Sequence, residues 1–195
     1  PAFGTPEYAK SVIASGQMAR RYNLPIRSSN TTASACVDLQ ATYESDMSIM
    51  ACVQGHINVM MHAGGWLEGG LTCSFEKLIL DAELLQAQAA LLDPIDLSDT
   101  AIGMEAIAEV GPVGHFFGAA HTLERFETEF YDPLLSDGSN YENWRDAGSV
   151  DATHRANAIW KDILARYEKP PIDPAIEEEL EAYVAKRKEA IAAEG

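Results

Sequence analysis

The run Ile57-Asn58-Val59-Met60-Met61 passes directly into His62-Ala63-Gly64-Gly65-Trp66-Leu67-Glu68-Gly69-Gly70. An apolar stretch of strand type is thus followed by one indole and one carboxylate set between two glycine pairs. The glycines allow a sharp turn and a close backbone approach to a ligand. In parallel β/α arrangements, the residues that follow a strand's C-terminal end are where functional groups gather. Trp66 and Glu68 would together hold a cation, the ring through its quadrupole and the carboxylate through charge. By pattern alone, a glycine-rich turn with Trp66 anchored in the core accounts for the segment slightly better than a ligand site.

Working outward, residues 6–22 read as a helix with Thr5 as N-cap and Pro6 in its first turn. Its apolar positions are Ala9, Val12, Ile13, Met18 and Ala19, and it ends in Arg20-Arg21 as the helix dipole favours. Residues 24–27 form a short candidate strand, and 28–35 a polar loop. Residues 38–54 are a second helix, with Leu39, Tyr43, Met47, Met50 and Ala51 at helical spacing and Gly55 as the stop. Asp38 and Gln40 at its N-terminus are placed to orient a ligand, whereas Glu44, two turns in, reads as an ordinary surface acid. Helix, strand, loop, helix, strand is the order of parallel β/α units.

Beyond the glycine segment, Ser74 caps a helix to about residue 92, with Leu78, Ile79, Leu84, Leu85 and Leu91 facing inward. Asp99 caps another, through Val110, before Gly111-Pro112-Val113-Gly114 breaks the chain ahead of His115 and Phe116. Residues 123–195 are polar and helical, with helices over 141–147, 152–167 and 174–193. The last carries Ile176, Leu180, Tyr183, Val184 and Ile191 on one stripe, which is expected to pack on the body of the protein. Two or three parallel strands leave edges exposed, which argues for part of a barrel. The missing strands would come from upstream in a longer chain or from another copy, and a homo-oligomer is expected.

Composition narrows the function. The chain has 195 residues, 47% of them hydrophobic, enough for a substantial core. Its 14 basic against 30 acidic residues give a net charge of −16, which repels nucleic acid and anionic membranes. No signal-peptide pattern opens it and no apolar run reaches the roughly 18–20 residues of a membrane span, so a cytoplasmic protein is expected. Cys36, Cys52 and Cys73 form no disulfide framework and fit a reducing compartment. His56 and His62, like His115 and His121, are spaced so that a strand would part them by about 20 Å and a helix would set them on different faces. No metal site is expected. Dinucleotide loops, P-loops, His-Glu-x-x-His and Gly-x-Ser-x-Gly are all missing from the sequence.

Five collinear blocks carry a resemblance: "TPEYAKSVIASGQMARRYNLP" (5–25), "DLQATYES" (38–45), "HAGGWLEGGLTCSFEKLILDAEL" (62–84), "GHFFGAAHTLERFETEFYDPLLSD" (114–137) and "YENWRDAGSVDATHRANAIW" (141–160). Together they resemble the C-terminal part of the trimethylamine methyltransferase family, MttB-like. The resemblance implies an α/β fold, the C-terminal part of a TIM (β/α)8 barrel with a helical C-terminal extension. Residues 1–122 would be the later β/α units and 123–195 the extension.

Members of that family move a methyl group from a methylated amine to the Co(I) of a separate corrinoid protein. In keeping with this, the chain lacks Asp-x-His-x-x-Gly, the cobalt-ligating element of such carriers; Asp151-Ala152-Thr153-His154 has the wrong spacing. No cofactor is therefore expected to bind directly, and the corrinoid would arrive on a cognate partner. The pyrrolysine of some members falls near residues 30–35, where only ordinary amino acids stand, which points to a non-pyrrolysine member. A quaternary ammonium substrate such as glycine betaine carries its own leaving group and needs little acid catalysis, unlike trimethylamine. On this reading Trp66, Glu68 and Phe116 surround the ammonium, while Gln40, His62 or His115 orients the substrate tail. Two rivals stand beside it: a zinc-dependent methyltransferase or lyase using the cysteines and histidines, and a non-catalytic module that binds quaternary ammonium compounds.

Overall fold

The computed structural model describes residues 2–194. Helix α1 (Pro6–Tyr22) starts where Thr5 accepts the Tyr8 N–H and ends at Asn23 in the left-handed region, φ 54°. Strand β1 (Arg27–Ser29), helix α2 (Leu39–Gln54) and strand β2 (Val59–Met61) follow. β1 and β2 pair in parallel with Arg27 opposite Val59 and Ser29 opposite Met61, so the expected β/α unit is present. A short antiparallel hairpin comes next, β3 (Trp66–Leu67) and β4 (Thr72–Cys73), closed by a single 3-10 turn over Glu68–Gly70. Helix α3 (Phe75–Leu92) begins at Ser74, whose hydroxyl accepts the Lys77 N–H.

Among the described residues each sheet has two strands, and helices make up most of the chain. The expected helix through Val110 is broken at Gly103, φ 70°, into α4 (Asp99–Ile102) and α5 (Met104–Val110); Ser98 rather than Asp99 caps the first. After α6 (Ala120–Arg125) and α7 (Tyr141–Asp146), the long helices α8 (Ala152–Ala165) and α9 (Pro174–Glu194) fall within two residues of their expected bounds. The described residues form two compact units, the first ending at Lys161 and the second beginning at Asp162.

Two small cores organise the first unit. In one, Ala9 and Val12 of α1 meet Ala51 and Cys52 of α2, with Ile57 and Met60 packed beneath. The helices cross closely at Gly16, where an added Cβ would lie 2.0 Å from the Gly55 carbonyl oxygen. In the other, Ile79 of α3 packs with Leu135 and with Ala156 of α8. Residues on both sides of position 122 thus share one core.

The inward faces of α2 and α3 differ from the ones expected. On α2, Leu39 and Tyr43 are exposed, while Ala41, Ser45, Ser48 and Cys52 are buried. Small side chains let α1, α3 and the sheet approach together, and the bulky ones turn outward. On α3, Leu78 and Leu91 are exposed and Lys77, Ile79, Asp81 and Glu83 are buried. Val59 and Met61 of β2 are 55% and 37% exposed, so their face of the strand is left open by the described residues. Taken by itself, the second unit leaves Ile176, Leu180, Tyr183, Val184 and Ile191 of α9 about half exposed or more.

Candidate functional site

The loops that leave the C-terminal ends of β1 and β2 meet. After β1, the polar stretch Asn30, Thr31, Thr32 and Ser34 is buried rather than the open loop its composition suggests. A buried loop must satisfy its backbone groups, and here the glycine segment supplies much of the bonding. The Glu68 N–H donates to the Ser34 carbonyl and the Gly69 N–H to the Thr32 carbonyl, both at 2.8 Å. The Thr32 hydroxyl donates to the Trp66 carbonyl at 3.1 Å, and Asn30 Nδ2 to the Ala63 carbonyl at 2.9 Å.

Carboxylates from two helices hold these loops from behind. Glu44 is buried: its Oε2 accepts the N–H groups of Ala33 and Ser34 at 2.7 and 3.1 Å, and its Oε1 accepts Gln40 Nε2 at 2.8 Å. The expected surface acid is a loop anchor, because its length carries it from α2 to the half-buried Ala33 and buried Ser34 backbone donors. Asp81 of α3 does the same for the glycine segment, accepting the Gly65 N–H at 2.8 Å. Lys77, one turn earlier, is fully buried and bonds both Asp81 Oδ1 and the Ser45 hydroxyl of α2. Burial pushes the Lys77 ammonium pKa down, while the facing Asp81 and, more distantly, Glu44 oppose that shift.

Of the residues singled out in the sequence, His62 and Trp66 come into contact, and Glu68 follows in the same segment. The His62 and Trp66 rings meet edge to face, 5.2 Å between centroids. His62 Nδ1 lies 3.2 Å from the Ser29 hydroxyl, which ties it to β1. His62 and Glu68 both sit in the left-handed region, φ 53° and 52°, a conformation that costs a non-glycine residue on the order of 1–2 kcal/mol. Trp66 is half-buried, whereas Glu68 is exposed and its carboxylate has no partner among the described residues. Beside His62, a cavity of about 530 Å3 opens between α1 and β1, lined in part by Tyr8, Ser11, Ser15, Arg27 and Ser29.

Gln40 is exposed and joins the group indirectly, through Glu44. His115 and Phe116 stand exposed between α5 and α6; the His115 ring rests 5.5 Å from that of Phe117, and neither has a hydrogen bond or ring contact to the glycine segment. Among the described residues no three His, Cys, Asp or Glu side chains gather as a metal site. Cys36 donates to Asp38, which raises its thiol pKa, and burial raises that of Cys52, so neither thiol favours the thiolate that zinc takes. Sequence reasoning missed Lys77, Asp81 and Glu44. The available signal was a Lys and an Asp at i, i+4, a spacing that pairs them on one face of the helix.

A parallel strand pair whose outgoing loops are bonded to each other and backed by helix carboxylates defines a β/α protein with its polar centre at the strand ends. The family profile described as Trimethylamine methyltransferase (MTTB) matches residues 1–192, and the chain belongs to that family. It is similar to a glycine betaine methyltransferase of Desulfitobacterium hafniense (strain Y51), 37% identical over 187 residues, 95% of this chain and 39% of that protein. It is also similar to trimethylamine methyltransferase MttB2 of Methanosarcina mazei, 29% identical over 184 residues, 94% of this chain and 37% of that protein. Trimethylamine methyltransferase MttB of Desulfitobacterium hafniense (strain DSM 10664 / DCB-2) is 28% identical over 182 residues, 93% of this chain and 36% of that protein. The chain therefore spans less than two fifths of the length of each of these relatives. No helix among the described residues is long and apolar enough to cross a membrane.

Proposed function

We infer that this chain is the C-terminal part of a methyltransferase that moves a methyl group from a quaternary or tertiary methylated amine to the Co(I) of a corrinoid on a separate protein. The observation that carries the reading is the bonding between the two loops at the ends of β1 and β2, which holds the glycine segment, with its His62–Trp66 ring contact and the exposed Glu68, at the strand ends. The family membership and the 37% identity to a glycine betaine methyltransferase support it, and favour a quaternary ammonium such as betaine over trimethylamine.

The fold reading follows the same line. Residues 1–122 would supply the last β/α units of a TIM barrel and 123–195 a helical extension, with upstream residues pairing the free edges of β1 and β2. Exposed apolar side chains such as Leu39, Val59, Leu71 and Phe75 are what a cut through a larger core would leave.

The corrinoid, carried by its partner, supplies the nucleophile when it is present. The chain's own residues would perform three tasks. The Trp66 face and the Glu68 carboxylate stabilise the ammonium cation. His62, steadied by Ser29, with Gln40, receives the rest of the substrate. Glu44 and Asp81 keep the loops rigid so that the methyl group is presented in line.

The test is methyl transfer by the protein in its full natural length, with glycine betaine, other betaines and trimethylamine offered in turn to a reduced corrinoid carrier. Transfer from a quaternary amine supports the reading. Amine binding without transfer to any carrier supports a non-catalytic module instead.

A further inference from the structure

Ser29 Oγ stands at a junction of three groups: the Thr31 hydroxyl at 2.8 Å, the Thr31 N–H at 3.2 Å and His62 Nδ1 at 3.2 Å. A hydroxyl has one proton to give and two lone pairs to accept with, so these three contacts fill it. Thr31 decides which of them takes the proton. Its side chain is buried, 2% exposed, and among the described residues the one acceptor for its hydroxyl is Ser29 Oγ. If Ser29 donated to Thr31 instead, the Thr31 proton would be buried without an acceptor, at a cost in free energy. Thr31 therefore donates through both its N–H and its O–H, and both Ser29 lone pairs are occupied. The Ser29 proton is left for His62 Nδ1.

An imidazole nitrogen that accepts carries no proton, so the neutral His62 ring bears its hydrogen on Nε2. Nε2 has no hydrogen bond among the described residues and remains a free donor. The Tyr8 hydroxyl holds the base of this relay, accepting the Ser29 N–H at 3.1 Å and donating to the Ser29 carbonyl at 3.2 Å. The cavity that His62 lines has Arg27 and four serines in its wall and, among the described residues, no Asp or Glu, on a chain of net charge −16. A free donor beside a wall without carboxylates suits an anionic group.

We propose that Ser29 and Thr31 are positioning residues that lock His62 as an Nε2–H donor, and that this donor selects amines with a carboxylate tail over tail-less quaternary ammonium ions. The lock follows from the hydroxyl geometry by itself, whereas its substrate rests on the methyl-transfer reading. In that reading the Trp66 ring takes the ammonium and His62 the carboxylate. The two rings lie 5.2 Å apart between centroids, and a betaine of the glycine type carries its carboxylate one methylene from its ammonium.

The full natural chain with isotope-labelled histidines tests the lock without any amine. Long-range proton–nitrogen correlation NMR at about pH 8.5, above the ordinary imidazole value of about 6.5, reads the tautomer. The His62 signal is the one missing from His62→Phe. Wild type and Thr31→Ser are expected to show the Nε2–H form, and Thr31→Val, which keeps the shape without the hydroxyl, a mixture of tautomers. An Nδ1–H form in the wild type overturns the lock.

Calorimetric binding then compares glycine betaine with tetramethylammonium, which has no tail. His62→Phe is expected to weaken betaine at least about tenfold more than tetramethylammonium, the loss of one hydrogen bond to a charged group. Thr31→Val shifts the preference the same way by a smaller factor, and Thr31→Ser and His62→Gln, which keep a hydroxyl and a donor, recover it in whole or in part. Equal loss of both ligands in His62→Phe overturns the carboxylate assignment. A wild type that binds neither amine removes the methyl-transfer reading and that assignment together, while the NMR result still decides the lock.

Discussion

Asp81 Oδ2 accepts the Gly65 N–H at 2.8 Å, and the other oxygen of the same carboxylate takes the buried Lys77 ammonium. One side chain thus joins helix α3 to the glycine segment and neutralises a charge that has no access to water. Removing it orphans a backbone donor and a cation together. Asp81→Ala is expected to destabilise the protein by about 3–5 kcal/mol, the cost of breaking a buried ion pair. Adding Lys77→Met should recover part of the loss, because no buried cation is left. Urea unfolding of the two variants measures both effects.

Glu44 predicts a more local result. Its carboxylate satisfies the Ala33 and Ser34 N–H groups, so Glu44→Ala removes the acceptor of a half-buried donor and of a buried one, the latter worth about 1–3 kcal/mol. Amide hydrogen exchange at residues 33 and 34 should accelerate by tenfold or more, with much smaller changes in α1. Equal acceleration everywhere would mean that Glu44 supports the whole fold and not this loop in particular.

Acid should loosen the docking of α8 on α3. Glu76 accepts from Asn157 Nδ2, the Ser74 hydroxyl and Trp160 Nε1, which together hold its pKa at about 2. A carboxylate depressed in the folded state contributes stability above its unfolded pKa, about 4.3, and loses it as pH falls toward 2. Melting temperature compared between pH 6 and pH 3 should therefore fall further for wild type than for Glu76→Gln, which starts lower and has no such proton to bind.

Gly16→Ala is expected to destabilise although alanine is the better helix former. Its methyl group would sit 2.0 Å from the Gly55 carbonyl oxygen, so α1 and α2 must part. Overpacking of this kind costs about 1–3 kcal/mol, and the cost should appear as a lower denaturation midpoint with an unchanged slope.

Helices with strong punctuation were legible in the sequence. Thr5, Asp38 and Ser74 each sit at the cap where their hydroxyl or carboxylate accepts a backbone N–H. The parallel pairing of β1 with β2 was legible from element order alone. Facing was not, because periodicity weighs apolar residues and the inner face of α2 is built from Ala41, Ser45 and Ser48, which carry little apolar signal. The same blindness hid the site's supports. Lys77, Asp81 and Glu44 look like surface charges until a buried loop with unsatisfied donors is placed against them. The turn that carries His62, Trp66 and Glu68 was readable because glycines follow directly after a strand. His115 and Phe116 lie elsewhere on the chain surface, where spacing along the sequence says nothing of distance.

The central claim is that the glycine segment after β2 receives a methylated ammonium group. Its most direct test is methyl transfer from glycine betaine to a reduced corrinoid carrier by the full natural chain, comparing wild type with Trp66→Ala and Glu68→Gln. A desolvated cation–π contact is worth roughly 2 kcal/mol, or about thirtyfold. The account predicts a fall of at least tenfold in kcat/KM for each variant, with circular dichroism and melting temperature near those of the wild type. Unchanged kcat/KM and unchanged betaine affinity in both variants would contradict it and return the segment to a glycine-rich turn.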